Sequence, residues 1–199
     1  MKGPALVLAS GGMDSAVALW WARRRFHRTR VLSFDYPGRP RGERAALRRL
    51  ARAARADVTI VPAPVEPARP RPGLPAGYIP GRNLVFYAIA LAWAERQGAA
   101  AVVGGHTRED GLRFPDARAV WFERLRGVAR SGHRSPARLV MPLLGLDHAA
   151  VIRLGLRLSV PFETTWTCYR DGARPCGRCA ACLGRRRAFA TAGLIDPAR

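Results

Sequence analysis

The sequence predicts an α/β fold: a doubly wound, open parallel sheet of about five strands with a C-terminal metal-binding tail. Three observations carry this. Short unbroken apolar runs alternate with amphipathic ones along the 199 residues. Unbroken apolar runs suit strands buried on both faces, as in a parallel sheet covered by helices. A Gly-rich turn follows the first run, and four cysteines gather near the C-terminus.

Taken in order, Ala5 to Ala9 is an apolar run that predicts a buried strand, and Asp14 to Phe26 predicts a helix. Arg30 to Phe34 gives the second strand, Gly42 to Ala56 a helix studded with arginine, and Val58 to Val61 the third strand. Residues 62–80 carry Pro62, Pro64, Pro67, Pro70, Pro72, Pro75 and Pro80. Proline lacks the N–H that a helix interior needs, so this stretch is a loop. Asn83 to Gln97 reads as a long helix with Leu84, Ile89, Leu91 and Trp93 among its apolar positions. Ala100 to Gly104 is the fourth strand, and a helix is expected from about Pro115 to Ala129. Leu139 to Met141 is a short fifth strand, and Ala149 to Leu158 a last helix. The chain reads as one domain, 1–199, with 165–190 as the tail. In such sheets ligands bind beyond the carboxyl ends of the strands. The loops opening at Ser10, Asp35, Pro62 and Gly105 are therefore the ones to inspect.

Composition bounds the rest. A hydrophobic fraction of 48% fits a globular domain able to bury its own core. No apolar stretch approaches the ~20 residues that span a bilayer, and the first residues do not form a secretory leader. Cysteines grouped as a metal site point to a reducing cytoplasm. The net charge of +20 invites a nucleic-acid reading. Against it, Lys2 is the one lysine and the arginines are scattered among abundant Ala, Gly and Pro, as a GC-rich coding sequence would write them. The densest run, Arg185-Arg186-Arg187, could line a phosphate path. Nucleic acid is nevertheless not the expected partner.

The turn after the first strand is Ser10-Gly11-Gly12-Met13-Asp14-Ser15. Its glycines permit a tight turn and close backbone approach to a ligand. The helix that follows aims free N–H groups and the positive end of its dipole at whatever lies there, which suits phosphate. Ser10 and Ser15 add hydroxyls, and Asp14 can cap the helix or help hold Mg²⁺. A plain Gly-rich turn with an Asp cap has the same spacing. In the tail, Cys168, Cys176, Cys179 and Cys182 are the chain's only cysteines, the last three spaced C-x₂-C-x₂-C. Four thiolates suit a closed structural Zn²⁺ site. An iron–sulfur cluster and a disulfide pair are the alternatives.

Ser-Gly-Gly-x-Asp-Ser after a first strand resembles the PP-loop of the N-type ATP pyrophosphatases. Other segments resemble one branch, the 7-cyano-7-deazaguanine synthase family. Ile79-Pro80-Gly81-Arg82-Asn83 is similar to its P-G-R-N motif, and Phe114-Pro115-Asp116-Ala117-Arg118 to its Y-P-D-C-R. Met141-Pro142-Leu143 is similar to its T-P-L, and Thr165-Trp166-Thr167-Cys168-Tyr169 with the three later cysteines to its zinc tail. The resemblance runs over nearly the whole chain. It implies a ligase that adenylates the carboxylate of 7-carboxy-7-deazaguanine with ATP, takes ammonia to an amide, and dehydrates the amide after a second adenylation. It implies ATP phosphates on Ser10, Gly11, Gly12, Met13, Asp14 and Ser15, with Asp14, Ser15, Arg82 and His148 in the chemistry. Arg39, Asn83, Asp110, Asp116 and Arg118 would bind substrate. Structural Zn²⁺, Mg²⁺ and a homodimer are implied too.

The pattern is departed from at four places. Pro40 stands where the family has histidine after the second strand, Leu112-Arg113 where it has S-G, Ala117 where it has cysteine, and His148 where it has lysine. Arg153 is the other residue that could replace that lysine. These changes suggest a bulkier, positively charged turn beside the substrate. They leave open a paralogue that gives the adenylate to another amine, on a small molecule or a protein N-terminus. A tRNA thiolation enzyme would need free cysteines, and a non-catalytic nucleic-acid module would leave the Ser10–Ser15 loop without a purpose.

Overall fold

Strands β1 (Ala5–Leu8), β2 (Thr29–Asp35), β3 (Asp57–Pro62), β4 (Ala101–Val103) and β5 (Arg138–Val140) form one sheet in the order β3-β2-β1-β4-β5. Every neighbouring pair is parallel, with Ala5 beside Thr29 on one side and beside Ala101 on the other. This is a computed structural model describing residues 3–69, 72–73, 78–134 and 137–198; Lys2, Pro70 and Pro75 lie outside the described residues.

The period-2 alternation of the strands divides the core in two. Val7, Val31, Ala101 and Val103 face α1 (Met13–Arg23), α2 (Arg41–Ala54), α6 (His148–Arg157) and α7 (Ala180–Thr191). Leu6, Leu32, Phe34, Val102 and Leu139 face α3 (Arg82–Arg96) and α5 (Ala119–Gly132). Helix α2 shows how the sequence selects its face. Ala46, Leu47, Leu50, Ala51 and Ala54 recur at helical spacing and are buried, while Arg48, Arg49 and Arg52 point to solvent. Full burial of each leucine stabilises the packing by ~1.5–3 kcal/mol. The expected doubly wound sheet, covered on both faces, is the one observed.

Three local features differ from the sequence reading. The helix expected from Pro115 starts at Ala119, because Pro115–Ala117 forms a separate 3₁₀ turn. Helix α4 (Arg108–Arg113) was not anticipated; it is one short turn held by a capping box between Thr107 and Asp110. Helix α7 was not anticipated either, since its residues read as a metal loop followed by a charge run. It buries Cys182, Arg185, Ala188 and Phe189.

Candidate active site

The strand order places β2 and β3 on one side of β1 and β4 and β5 on the other. The chain reverses direction of winding between β1 and β4, and ligands bind at such a switch point. One cleft opens there, beyond the carboxyl ends of β1, β2 and β4. Ser10, Gly12, Asp14 and Ser15 line it from β1 and α1, Arg82, Asn83 and Tyr87 from α3, and Gly105, His106 and Asp110 from the β4 loop.

The Ser10–Ser15 loop is held in shape by its own hydroxyls. Ser15 Oγ accepts from the amides of Ser10 (3.3 Å) and Gly11 (3.4 Å) and donates to the Gly12 carbonyl (3.0 Å). Ser10 Oγ accepts from the Gly12 amide at 3.2 Å. Gly11 has φ +109°, and a Cβ there would strike the Glu43 carbonyl and stand 2.8 Å from the Leu47 amide. Glycine is required on both counts. Helix α1 starts from Gly12 with no side-chain cap, so its first N–H groups face the cleft with their dipole end. Asp14 is therefore not a cap, and Met13 turns its side chain into the core at 5% exposure. Met13 contributes backbone alone.

Arg39 is buried at 4% exposure. Its guanidinium donates to the carbonyls of Phe34 (2.5 Å) and Ser10 (2.7 Å) and pairs with Glu43 at 3.4 Å. It lines the cleft, as expected of a substrate-side residue, and also ties the end of β1 to the end of β2 beneath the loop. Burial pushes the Glu43 carboxyl up, with Arg39 and Arg82 acting against it. The β2 end of the cleft is aromatic: Phe34 stacks on Phe86 at 4.1 Å, and Tyr36 tilts against Phe86 at 5.9 Å. Ser33 Oγ, on the same wall, is buried without a partner among the described residues.

At the β4 end, Asn83 is buried one residue inside α3 rather than capping it. Gly81 is the N-cap, and Asn83 Nδ2 donates to the Asp116 carbonyl at 3.1 Å. Asn83 thus anchors the 3₁₀ turn that carries Asp116. Asp110 lines the cleft, with Oδ2 accepting from the Thr107 amide (2.9 Å) and hydroxyl (3.0 Å). Asp116 and Arg118 are not in the cleft wall. Arg118 is exposed and donates Nε to the Gly111 carbonyl at 3.3 Å, which joins it to α4 rather than to Asp116.

Asp14 faces a second group of ionisable residues. His148, first residue of α6, has Nε2 3.8 Å from Asp14 Oδ2, and its amide donates to Glu109 Oε1 at 3.1 Å. Burial pushes the Asp14 carboxyl up to about 7; His148 pulls it back, and Asp110 and Glu109 add to the rise. Asp14 Oδ1 and Glu109 Oε2 are buried without partners among the described residues. Two orphaned carboxylate oxygens beside a phosphate loop fit a hard divalent cation such as Mg²⁺. His148 reaches the cleft through Asp14 and itself lines a neighbouring hollow with Arg108, Arg113 and Arg187.

The four cysteines converge. Their Sγ atoms all lie within 4.8 Å of one another, compatible with the ~3.8 Å edges of a tetrahedron of Zn–S bonds. No disulfide links them. Backbone amides of Arg170, Cys176 and Cys179 donate to these sulfurs at 3.4 Å. Amides of Arg178 and Cys179 pull the Cys176 thiol down to about 6. The donor set fits a closed structural metal.

This metal-binding segment reaches the phosphate loop. Trp166 donates its amide to the Gly11 carbonyl at 3.0 Å and its indole N–H to the Cys168 carbonyl at 2.8 Å. Its ring packs with Ala46, Cys168 and Cys182. Arg185 is not on a phosphate path. It is buried at 6% exposure and binds Asp196 through Nε at 2.9 and 3.0 Å, Thr165, Thr167 and the Phe162 carbonyl.

Four contributors escaped the sequence reading: Ser33, Glu109, His106 and the Tyr36–Phe86 wall. His106 and Glu109 had one signal, their place in the loop opening at Gly105. The departures from the family motifs also look different in three dimensions. Leu112 is 77% exposed, Arg113 lies over the Phe114 ring, Ala117 is buried and Pro40 is the N-cap of α2. Pro40, Leu112, Arg113 and Ala117 do not line the cleft, so the bulkier turn expected from Leu112-Arg113 is not part of its wall; the remaining departure, His148, meets the cleft through Asp14.

Comparison with known proteins agrees with this geometry. The family model "Queuosine biosynthesis protein QueC" matches residues 4–68 and 61–193. The chain is 40% identical over 221 residues to the 7-cyano-7-deazaguanine synthase of Anaeromyxobacter dehalogenans, covering 97% of this chain and 94% of that one. It is 36% identical to that of Thermosynechococcus vestitus, with the same coverage. Among solved structures, a 4-thiouridine synthetase bound to RNA and ATP superposes with TM-score 0.58 at 20% identity, over 86% of this chain and 44% of that one. The NH₃-dependent NAD synthetase of Campylobacter jejuni gives 0.52 at 12% identity, over 81% and 66%. These two likenesses show the PP-loop fold alone.

Proposed function

The chain belongs to the QueC family of queuosine biosynthesis proteins, and from that premise we propose how its cleft makes 7-cyano-7-deazaguanine from the 7-carboxy compound, ATP and ammonia. The observation that carries this is the convergence at one switch point of the phosphate loop, Arg82 and the β4 loop, with the departures at Pro40, Leu112-Arg113 and Ala117 outside it and His148 meeting it only through Asp14. A paralogue with another acceptor amine would be expected to alter the cleft itself.

In this reading ATP lies along the β1 loop, its base against Tyr36 and Phe86 at the β2 end. The first N–H groups of α1 and the Ser10 hydroxyl hold the phosphates that leave as pyrophosphate, while Gly11, Gly12 and Ser15 keep the loop in shape around them. Asp14 and Glu109 would hold Mg²⁺, which supplies charge neutralisation at the phosphates. The carboxy-deazaguanine lies at the β4 end among Asn83, Asp110 and Arg82, its N–H edge toward Asp110 and its carboxylate toward Arg82. Arg82 pairs with the carboxylate or α-phosphate, so that a carboxylate oxygen can attack the α-phosphorus. Ammonia displaces AMP to leave an amide. The amide oxygen attacks a second ATP, and loss of the second AMP forms the nitrile. Positioning and charge stabilisation account for most of the acceleration in such a site. His148 acts through Asp14 at the pyrophosphate end. Asp116 and Arg118 shape α4 and its turn. The cysteines hold Zn²⁺, and their commitment to one ion argues against sulfur transfer. A homodimer in the cytoplasm belongs to the same reading; sedimentation checks the first.

The test is the purified protein with 7-carboxy-7-deazaguanine, ATP, Mg²⁺ and ammonia, followed by mass detection. Nitrile is expected. Amide that accumulates without nitrile, or a product formed only with another amine, would establish the paralogue instead.

A further inference from the structure

We infer that His106 is a specificity-determining residue, whose imidazole donates a hydrogen bond to the ring carbonyl of the deazaguanine. This rests on the synthase reading above.

His106 follows Gly104-Gly105 at the carboxyl end of β4. A Cβ at Gly105 would stand 2.9 Å from the Asp14 carbonyl, so the two loops touch there and the next residue is delivered to the cleft wall. The ring is held from behind by Phe122 at 5.1 Å and Tyr87 at 5.8 Å, which themselves meet edge-on at 5.5 Å. Phe122 and Tyr87 are buried, at 0% and 1% exposure, so the imidazole has little freedom to turn. Among the described residues, neither ring nitrogen makes a hydrogen bond; ring contacts alone fix it. An oriented polar group in a cleft wall with no protein partner is placed for a ligand.

The chemistry of the neighbours narrows the contact. Burial lowers the imidazole to about 4, with Asp110 and Asp116 acting the other way and Arg82 adding to the fall. The ring is therefore neutral and offers one donor and one acceptor. An ionised carboxylate accepts only, so Asp110 can serve the N–H groups of a guanine-like edge but not its carbonyl. Arg82 is directed to the carboxylate and phosphate. The carbonyl needs an uncharged donor at the β4 end, and His106 is positioned to be one. A neutral donor also suits an uncharged ring better than a cation, whose desolvation would go uncompensated.

Two variants and two Michaelis constants test this. H106F keeps an aromatic ring among Tyr87 and Phe122 but removes the donor. Its KM for the carboxy-deazaguanine should rise about tenfold or more, as expected when a buried carbonyl loses its partner, while its KM for ATP stays within about twofold. H106Q, which restores an uncharged donor, should recover part of the loss. A merely structural role would move melting temperature and both constants together. The inference is overturned if H106F leaves the heterocycle KM unchanged, or raises both constants equally. If the wild-type protein forms no nitrile, the synthase reading fails. Calorimetric binding of the heterocycle to wild type and H106F then still decides the role of His106: equal affinity refutes it.

Discussion

Replacing Gly42 by alanine perturbs the contact between the metal-binding segment and the phosphate loop without changing a residue of either. Gly42 lies in the first turn of α2, where a Cβ would stand 2.5–2.6 Å from Trp166 Cδ2 and Cζ2. Two effects oppose each other. Alanine favours a helix over glycine by ~0.8–1 kcal/mol. Forcing a methyl into a packed ring costs ~1–3 kcal/mol, and here the obstacle is a rigid indole at 6% exposure. Against a rigid ring the steric term lies toward the upper end of its range and wins, leaving a net loss of up to about 2 kcal/mol. The indole can retreat only by drawing Trp166 off the loop, which strains its amide bond to the Gly11 carbonyl. Losing that bond would raise the KM for ATP by up to about tenfold, since a hydrogen bond contributes ~0.5–1.5 kcal/mol. Thermal denaturation and steady-state ATP kinetics read both. A G42A protein as stable as wild type, with unchanged KM for ATP, would refute the coupling between tail and loop.

Other substitutions probe the remaining supports. Arg185→Ala leaves Asp196 partly buried and unpaired and should lower stability by about 3–5 kcal/mol. Lysine should not rescue it, because the contacts need a planar fork, and the KM for ATP below the melting temperature should stay near wild type, unlike that of a phosphate ligand. In the ligand-free, Mg²⁺-free protein, Asp14 titrates near 7 against 3.8 ordinarily. Between these values the folded state holds a proton that the unfolded chain has released, so stability falls as pH rises through this window and levels off above it. Chemical denaturation should show that slope in wild type and not in D14N, with D14N the more stable at pH 8 by on the order of 4 kcal/mol. Elemental analysis should find one zinc per chain and no reactive thiol until a chelator is added. Two reactive thiols in the metal-loaded protein would contradict a closed four-cysteine site.

The legible parts of the molecule were those where local chemistry dictates local structure. Gly11, Gly12 and the hydroxyls of Ser10 and Ser15 announce an anion-binding turn because few other residues permit it. Four cysteines within one segment can meet without long-range help, and they do. The apolar runs Ala5 to Ala9 and Ala100 to Gly104 imply burial on both faces, hence a parallel sheet. What stayed hidden depends on tertiary placement. Arg39 was named through the resemblance alone; only the fold shows its guanidinium held beneath the loop on two carbonyls while it lines the cleft. Arg185 looked like part of a surface charge run, yet α7 turns it inward while Arg187 lines an outer hollow. Conversely, His106 carried no motif, and its significance comes from Phe122 and Tyr87, residues distant in sequence. Leu112-Arg113 looked like an obstruction at the substrate, but the α4 turn carries both outward.

The central claim is that this cleft activates a carboxylate by adenylation and then repeats the step on the amide. It is tested most directly by following oxygen. With both carboxylate oxygens of the deazaguanine labelled as ¹⁸O, each attack on an α-phosphorus leaves one labelled oxygen in AMP. Mass analysis should find two AMP per nitrile, each carrying a single ¹⁸O. Label appearing in inorganic phosphate or in water, with unlabelled AMP, would contradict the account.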